Sequence, residues 1–262
     1  MIIESVLLNE QRKKPSFKPI EPILLKNIEE YVTNCFNTLL KENNFIFNTF
    51  EDLFNNGFEG VVFGGWVRDR VVEFFTGNKI KSKDIDFVCK SKKNNDLSSY
   101  FSKDPMADQN MFGGFFIEHS TMHIDIWEVR NTYLIKKNFL KNEFKSLLLT
   151  ADYTINSIIY HPKQNKSDAY LLDFGCVDSI KNNKIDFLAN EVAFPIVQAA
   201  RAVIFSARFN LTLSQTIIDF IKKICADDDN VKKIQSGIKK FCPPEYKSNA
   251  ETIISNINKI IR

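Results

Sequence analysis

No stretch of this 262-residue chain stays apolar for the roughly eighteen residues that a bilayer-spanning helix needs, so no membrane partner is expected. The start, MIIESVLLNEQRKK, sets its basic residues after a short apolar segment, the reverse of a secretory signal. Paired cysteines are missing as well. Cys35, Cys89, Cys176, Cys225 and Cys242 are odd in number, scattered and without CxxC spacing, which argues against disulfides or zinc and for reduced thiols packed as small apolar groups. These absences point to the cytoplasm, or to a host's cytoplasm if the Asn-, Lys-, Ile- and Phe-rich composition reflects a phage genome. Charge of one sign is also lacking: 35 Lys and Arg against 32 Asp and Glu leave +3, so any nucleic-acid partner must be met by a local patch. There is no internal repeat and no low-complexity tract. What is abundant is core material, 44% hydrophobic residues with 24 phenylalanines, which is enough for a packed globular protein.

Four segments separate by pattern. After a Pro-containing leader over residues 1–20, apolar positions at helical spacing from Ile23 to Leu39 predict a helix that packs on a sheet. The second segment carries GGWVRDR, residues 64–70, between the apolar run VVF and a helical stretch that ends near Thr76-Gly77. Two glycines where a strand enters a helix leave bare backbone N–H groups at a positive dipole end, a seat for an anion such as phosphate. A tight strand-to-helix turn is the alternative reading of Gly64-Gly65 alone.

In Asp84-Ile85-Asp86-Phe87-Val88 the carboxylates alternate with apolar residues, so a strand buries Ile85 and Phe87 and projects both aspartates from the other face. Adjacent carboxylates repel unless a divalent cation neutralises them, and Mg²⁺ favours such an open oxygen site completed by water and phosphate. Taken alone, the DxD reads first as an edge strand with a solvated acidic face. The third segment, FGGFFI and MHIDIW around a polar turn at residues 118–121, reads as two strands. Asp125 there faces away from Ile124 and Ile126, and on a neighbouring strand it completes a two-metal cluster with Asp84 and Asp86. His123 and Trp127 share its face as cleft walls or surface residues.

Together these stretches resemble the head domain shared by class II CCA-adding enzymes and poly(A) polymerases, of the polymerase-beta-type nucleotidyltransferase superfamily, whose signature is GGxVRD. LLLTADYTINSIIY (147–160), LLDFGCVDSIKNNKIDFL (171–188) and RAVIFSARFNLTLS (201–214) resemble further segments of that family in the same order. The resemblance implies an α+β fold, a small mixed sheet flanked by helices, with a head domain at 21–189 and a short helical neck at 190–262. It implies that Gly64 and Gly65 approach the triphosphate, that Arg68 binds phosphate or braces the motif, and that Asp69 holds the turn. Asp84, Asp86 and Asp125 are the implied catalytic residues and ligands of two Mg²⁺ ions, with Mn²⁺ as a substitute. Asp152 matches an aspartate associated with the nucleotide's ribose, Asn156 lies beside it in the same segment as a nucleotide-site or bracing residue, and Arg201 and Arg208 share a helix face that reaches substrate or solvent.

The chain departs from the family at three places. Thr150 and Ala151 stand where two arginines precede the aspartate, and Phe194-Pro195-Ile196-Val197-Gln198 stands where EDxxR pairs with the incoming base. Selection of C and A by that template of hydrogen bonds is therefore not expected. The loop NKIKSK before the DxD is longer than the family's compact form and reads as a solvated loop, with contact to RNA phosphates as the alternative. The family's body and tail domains have no counterpart here, so a partner chain supplying acceptor binding is one expectation. The implied activity is transfer of a nucleoside monophosphate from an NTP to an RNA 3′ end, with release of pyrophosphate. Transfer to an internal tRNA hydroxyl, a protein or a small molecule, or an inactive nucleotide- or RNA-binding module, remain the alternatives.

Overall fold

The computed structural model describes residues 4–8, 15–92, 95–102, 107–118, 122–137, 140–164 and 167–259. In chain order it runs through β1 (Ser5–Leu7), α1 (Pro22–Glu42), α2 (Asn44–Asn55), β2 (Phe58–Phe63), α3 (Gly65–Thr76) and β3 (Asp84–Ser91). It continues with α4 (Leu97–Phe101), β4 (Ala107–Gln109), β5 (Phe115–Glu118), β6 (His123–Glu128), α5 (Tyr133–Lys137) and α6 (Phe144–Leu147). Then come β7 (Ile158–His161), β8 (Tyr170–Asp173), α7 (Cys176–Lys181), β9 (Lys184–Ile185), β10 (Glu191–Ala193) and α8 (Pro195–Phe209). The last elements are β11 (Thr212–Leu213), α9 (Gln215–Ile224), α10 (Asp228–Phe241) and α11 (Lys247–Lys259). Most of the polar turn expected between β5 and β6, residues 119–121, lies outside the described residues, as do parts of the leader and the last three residues. Among the described residues no helix is long and apolar enough to cross a membrane.

The chain divides into two compact units. The larger, Lys18–Ala151 with Asn156–Val177, holds a seven-stranded mixed sheet in the order β4-β5-β6-β3-β2-β7-β8. Only β3 and β6 run parallel; the other pairs are antiparallel. Period-two alternation in β3 and β6 sends Ile85, Phe87, Ile124 and Ile126 into full burial on one face. Phe36 of α1 and Phe50 of α2 close over that face, with ring centroids 4.6 Å apart for Phe50–Phe87 and 5.4 Å for Phe36–Tyr160. Gly60 is required there, because a Cβ on it would lie 2.2 Å from the Phe87 ring.

The opposite face is apolar at one end only. Val61, Val88 and Ile159 pack with Ile135, Leu147 and Leu148, and Phe63 and Trp127 border this second core. Along β3 the same face passes from Val88 to Asp86 and Asp84, so the helices that cover the apolar end leave the acidic end half-buried or exposed.

The smaller unit, Met1–Phe17, Asp152–Ile155 and Asp178–Arg262, is built on α8 to α11. Its apolar helix faces include Val203, Ile217, Ile221, Ile234, Ile238 and Ile254, all buried. Ser214 caps α9 by accepting from the Ile217 amide, and Asp227, in the acidic ADDDN cluster, accepts from the Asp229 amide at the start of α10. Two short sheets complete the unit: β1 with β10, antiparallel, and β9 with β11, parallel. A piece of the expected leader is thus an ordered strand whose partner, Glu191–Ala193, lies more than 180 residues further along the chain. All five cysteines are free thiols, and four of them are buried.

Candidate active site

The parallel register of β3 and β6 pairs Asp86 with Asp125 and Asp84 with His123. Paired residues on neighbouring strands share a face, so all three aspartates stand on the incompletely covered side of the sheet. Strands lie ~4.8 Å apart and alternate residues along a strand ~6.6 Å apart, which sets the scale of the acidic triangle. Burial, and then the charge of Asp84, push the Asp125 carboxyl above its ordinary value, with His123 opposing the shift. His123 stacks on Phe116 at 5.2 Å, and its Nδ1 is buried without a hydrogen-bond partner. Trp127 donates its indole N–H to Thr132 at 3.0 Å, so it serves the apolar end of the face.

Among the described residues no three His, Cys, Asp or Glu side chains are gathered into a ready-made metal cage. The donor set nonetheless suits a hard cation: oxygen atoms only, with burial and then the charge of Asp84 raising Asp125. Mg²⁺ and Mn²⁺ take one or two protein carboxylates and complete their shells with water and phosphate oxygens.

Beside this triangle, β2 ends and α3 begins at Gly64-Gly65. Gly64 has φ +61° and ψ −108°, backbone that a side chain resists, and its amide donates to Ile158 O at 3.0 Å. No side chain caps α3, so its first-turn amides look outside the helix for acceptors. A Cβ on Gly65 would lie 3.9 Å from Asp86 Oδ2, which measures how close the helix start is to the acidic triangle.

Arg68 and Asp69 lie beneath this turn at 5% and 3% exposure. Arg68 Nε and Nη2 donate to Asp69 Oδ1 at 2.9 and 2.7 Å, and Nη1 donates to Asn156 Oδ1 at 2.7 Å. Asn156 is itself 6% exposed. These three side chains form a closed polar link between α3 and the segment entering β7.

Sequence patterns missed a second set of residues that holds the acidic strand in place. Glu73, a charged helix residue at 2% exposure, accepts the Ile80 amide at 2.5 Å and the Tyr31 hydroxyl at 3.2 Å. Arg70 Nη2 donates to Ile80 O at 2.5 Å and Ser82 Oγ at 3.2 Å, and Ser82 Oγ donates to Asp69 Oδ2 at 3.1 Å. The NKIKSK loop is therefore pinned by α3 at Ile80 and Ser82, immediately before Asp84, while its lysines are exposed as expected of a solvated loop. A local signal existed: Arg70 and Glu73 are three residues apart and form an ion pair at 3.3 Å.

In the smaller unit Asp152 Oδ2 pairs with Arg201 Nη1 at 2.6 Å, and the Arg201 guanidinium lies over the Phe205 ring. Arg208, two helical turns further along α8, stacks over Phe209 at 4.8 Å. Phe194, in left-handed backbone at φ 55°, starts α8. Gln198 gives its carbonyl to the Tyr153 hydroxyl at 2.6 Å, while its side-chain Oε1 is buried with no hydrogen-bond partner. That orphaned amide stands on the same helix face as Arg201, three residues on, and only the structure brings it to notice.

No family model and no curated protein matches the sequence. Solved structures do match in fold. A CCA-adding enzyme in complex with ATP superposes with a TM-score of 0.59 at 20% identity, over 84% of this chain and 54% of that one. A tRNA nucleotidyltransferase complexed with a primer tRNA and an incoming ATP analogue gives 0.55 at 18% identity, over 80% and 60%. A Thermotoga maritima CCA-adding enzyme complexed with tRNA gives 0.55 at 18% identity, over 91% and 52%. The chain thus has the α+β fold of these enzymes and spans about half their length.

Proposed function

We propose that this protein is a nucleotidyltransferase that moves a nucleoside monophosphate from an NTP to a hydroxyl, with the 3′ end of a tRNA-like RNA as acceptor. The acceptor oxygen forms a bond to the α-phosphorus, the bond from that phosphorus to the bridging oxygen breaks, and pyrophosphate leaves. The observation that carries the reading is the register that sets Asp125 beside Asp86, on the face shared with Asp84, next to an uncapped helix start at Gly64-Gly65. The shared fold with enzymes solved in complex with ATP, an ATP analogue and tRNA supports the same class.

On this reading the first-turn amides of α3 face the triphosphate, where N–H groups and the helix dipole favour negative charge. Asp84, Asp86 and Asp125 would hold two Mg²⁺ or Mn²⁺ ions, which when bound neutralise the carboxylates and stabilise charge on the reacting phosphoryl group. The Arg68–Asp69–Asn156 link acts from below as a brace on the turn: Arg68 spends Nε, Nη1 and Nη2 on Asp69 and Asn156. In the smaller unit, taken by itself, the Asp152–Arg201 ion pair is the polar group that the resemblance gives to nucleotide binding. Base recognition falls to Gln198, whose amide offers a donor and an unused acceptor where the family carries a charged pair.

The test is to incubate the purified chain with each α-labelled NTP, Mg²⁺ and total RNA. Label in RNA that survives protease, lost in Asp86→Asn, is the expected result; label in protein overturns the choice of acceptor. The missing EDxxR pair favours a second reading, a nucleotide- or RNA-binding module without turnover. Absence of pyrophosphate release, with equal RNA binding by wild type and Asp84→Ala, would select it.

A further inference from the structure

The pinned loop before Asp84 lines a second cavity of about 580 Å³, within the larger unit, on the side where α1 crosses α3. That volume lies within the ~300–1,000 Å³ range of small-molecule sites. Its apolar wall includes Tyr31, Trp66 and Met122, and its rim carries Arg70, Lys79 and Lys81 against one carboxylate, Glu42. The nearby Glu73 carboxylate is already engaged by the Ile80 amide, the Tyr31 hydroxyl and Arg70. Arg70 lies over the Trp66 ring and commits Nη2 to the loop, but its Nε is buried and has no hydrogen-bond partner. A guanidinium at the cavity rim, tied to the loop through one nitrogen, presents its positive charge to an anionic oxygen entering the cavity. Lys79 and Lys81 add positive charge on the loop, and the Tyr31 and Met122 side chains offer apolar surface beside it.

We propose that this cavity is a binding site for a small phosphomonoester carrying a flat apolar group, distinct from the acidic triangle. Phosphate suits a forked guanidinium flanked by ammonium groups, and the apolar part suits the Tyr31 and Met122 wall. Its position gives occupancy a consequence. Residues 79–82 lead directly into Asp84, Met122 leads into β6, and the His123 amide donates to Lys83 O at 2.9 Å, so both lead-ins to the acidic strands border the bound ligand.

Binding is tested without NTP or divalent cation, in EDTA, so the result does not depend on the transferase reading. The probe is labelled phenyl phosphate in equilibrium dialysis with the full chain. Cys35 reports location, since it lines the cavity and is the one half-buried cysteine, the other four being buried. The expected result is saturable binding that slows maleimide modification of Cys35. It should weaken about fivefold in Lys81→Glu, an exposed charge reversal, and be unchanged in Asp84→Asn. Phenol should protect poorly. The proposal is overturned by no binding, by binding that leaves Cys35 modification unslowed, by indifference to Lys81→Glu, by equal protection from phenol, or by loss of binding in Asp84→Asn.

Discussion

Replacing Arg68 with alanine distinguishes a brace from a phosphate ligand, because the two roles predict opposite readouts. As a brace, Arg68 donates three hydrogen bonds of 2.7–2.9 Å inside a region where it, Asp69 and Asn156 are all at most 6% exposed. Truncation leaves Asp69 Oδ1 and Asn156 Oδ1 without that donor. Breaking one side of a buried ion pair costs ~3–5 kcal/mol. Asp69 keeps the Ser82 hydroxyl at 3.1 Å, which places the expectation at the lower end, about 3 kcal/mol, or roughly a 150-fold fall in the folded-to-unfolded ratio. Both tryptophans, Trp66 and Trp127, belong to the larger unit, so their emission during urea unfolding reports that unit alone. This matters because a chain of two units need not unfold in one transition. At a slope of ~2 kcal/mol per molar urea, the midpoint should fall by about 1.5 M. Asp69→Ala should fall comparably, and the double variant by about 2 kcal/mol less than the sum, since each single change strands the other member of the same pair. Lysine should not rescue, because an ammonium cannot span Asp69 and Asn156 as the planar fork does. A midpoint unmoved by Arg68→Ala, with a tenfold rise in KM for NTP, would refute the brace.

Gly64→Ala should destabilise the larger unit by about 2 kcal/mol through backbone strain, since its new Cβ meets only Asn156 O at 3.6 Å, and transfer activity should fall with it. Asp125→Asn should abolish transfer yet raise stability at neutral pH. The folded-state carboxyl titrates above its ordinary value, so the wild-type penalty is absent when the group is protonated in both states and grows as pH rises through the raised pKa. Urea midpoints of the two proteins from pH 3 to 8 should therefore converge in acid and separate above it. Arg201→Ala should leave stability within about 1 kcal/mol, because its pair with Asp152 is partly exposed, while raising KM for NTP in a steady-state assay.

The faces of the acidic strands were legible because alternation needs only neighbours: DIDFV and HIDIW each state which residues share a side. Their parallel register is not local information, and nothing in either stretch says that Asp125 meets Asp86 and not Asp84. The pairing of Ser5–Leu7 with Glu191–Ala193 was hidden for the same reason, three residues being too short to show a period. Glu73 escaped notice for a different cause. A glutamate in a helix is ordinarily solvated, and this one is buried because the loop presents it with an amide and α1 with a tyrosine hydroxyl. The resemblance carried the fold through its ordered motifs even at an identity near 20%. The hydrogen-bond partners of Arg68 and Asn156 needed coordinates, since a polar residue in a motif looks the same whether it faces a ligand or the turn beneath it.

Three features at one end of the sheet's central strands are each unfavourable in isolation. Gly64 holds a backbone conformation with little entropic justification outside a close approach, α3 starts without a cap, and Asp125 ionises against Asp84. Ordinary stability selection would remove each by a single substitution: a cap residue at the helix start, an asparagine at 125, a residue content with its φ at 64. Their concurrence at one end of neighbouring strands is more economically explained by a common ligand than by three unrelated accidents. On the proposed function, a cation-bound triphosphate would relieve the last two together, its phosphates accepting from the α3 amides and its cations neutralising the carboxylates. Gly64 leaves that approach clear. The coupling is measurable without turnover: a nonhydrolysable NTP with Mg²⁺ should raise the urea midpoint of the wild-type larger unit more than that of Asp125→Asn. Equal shifts would mean that the carboxylate repulsion and the nucleotide have nothing to do with each other.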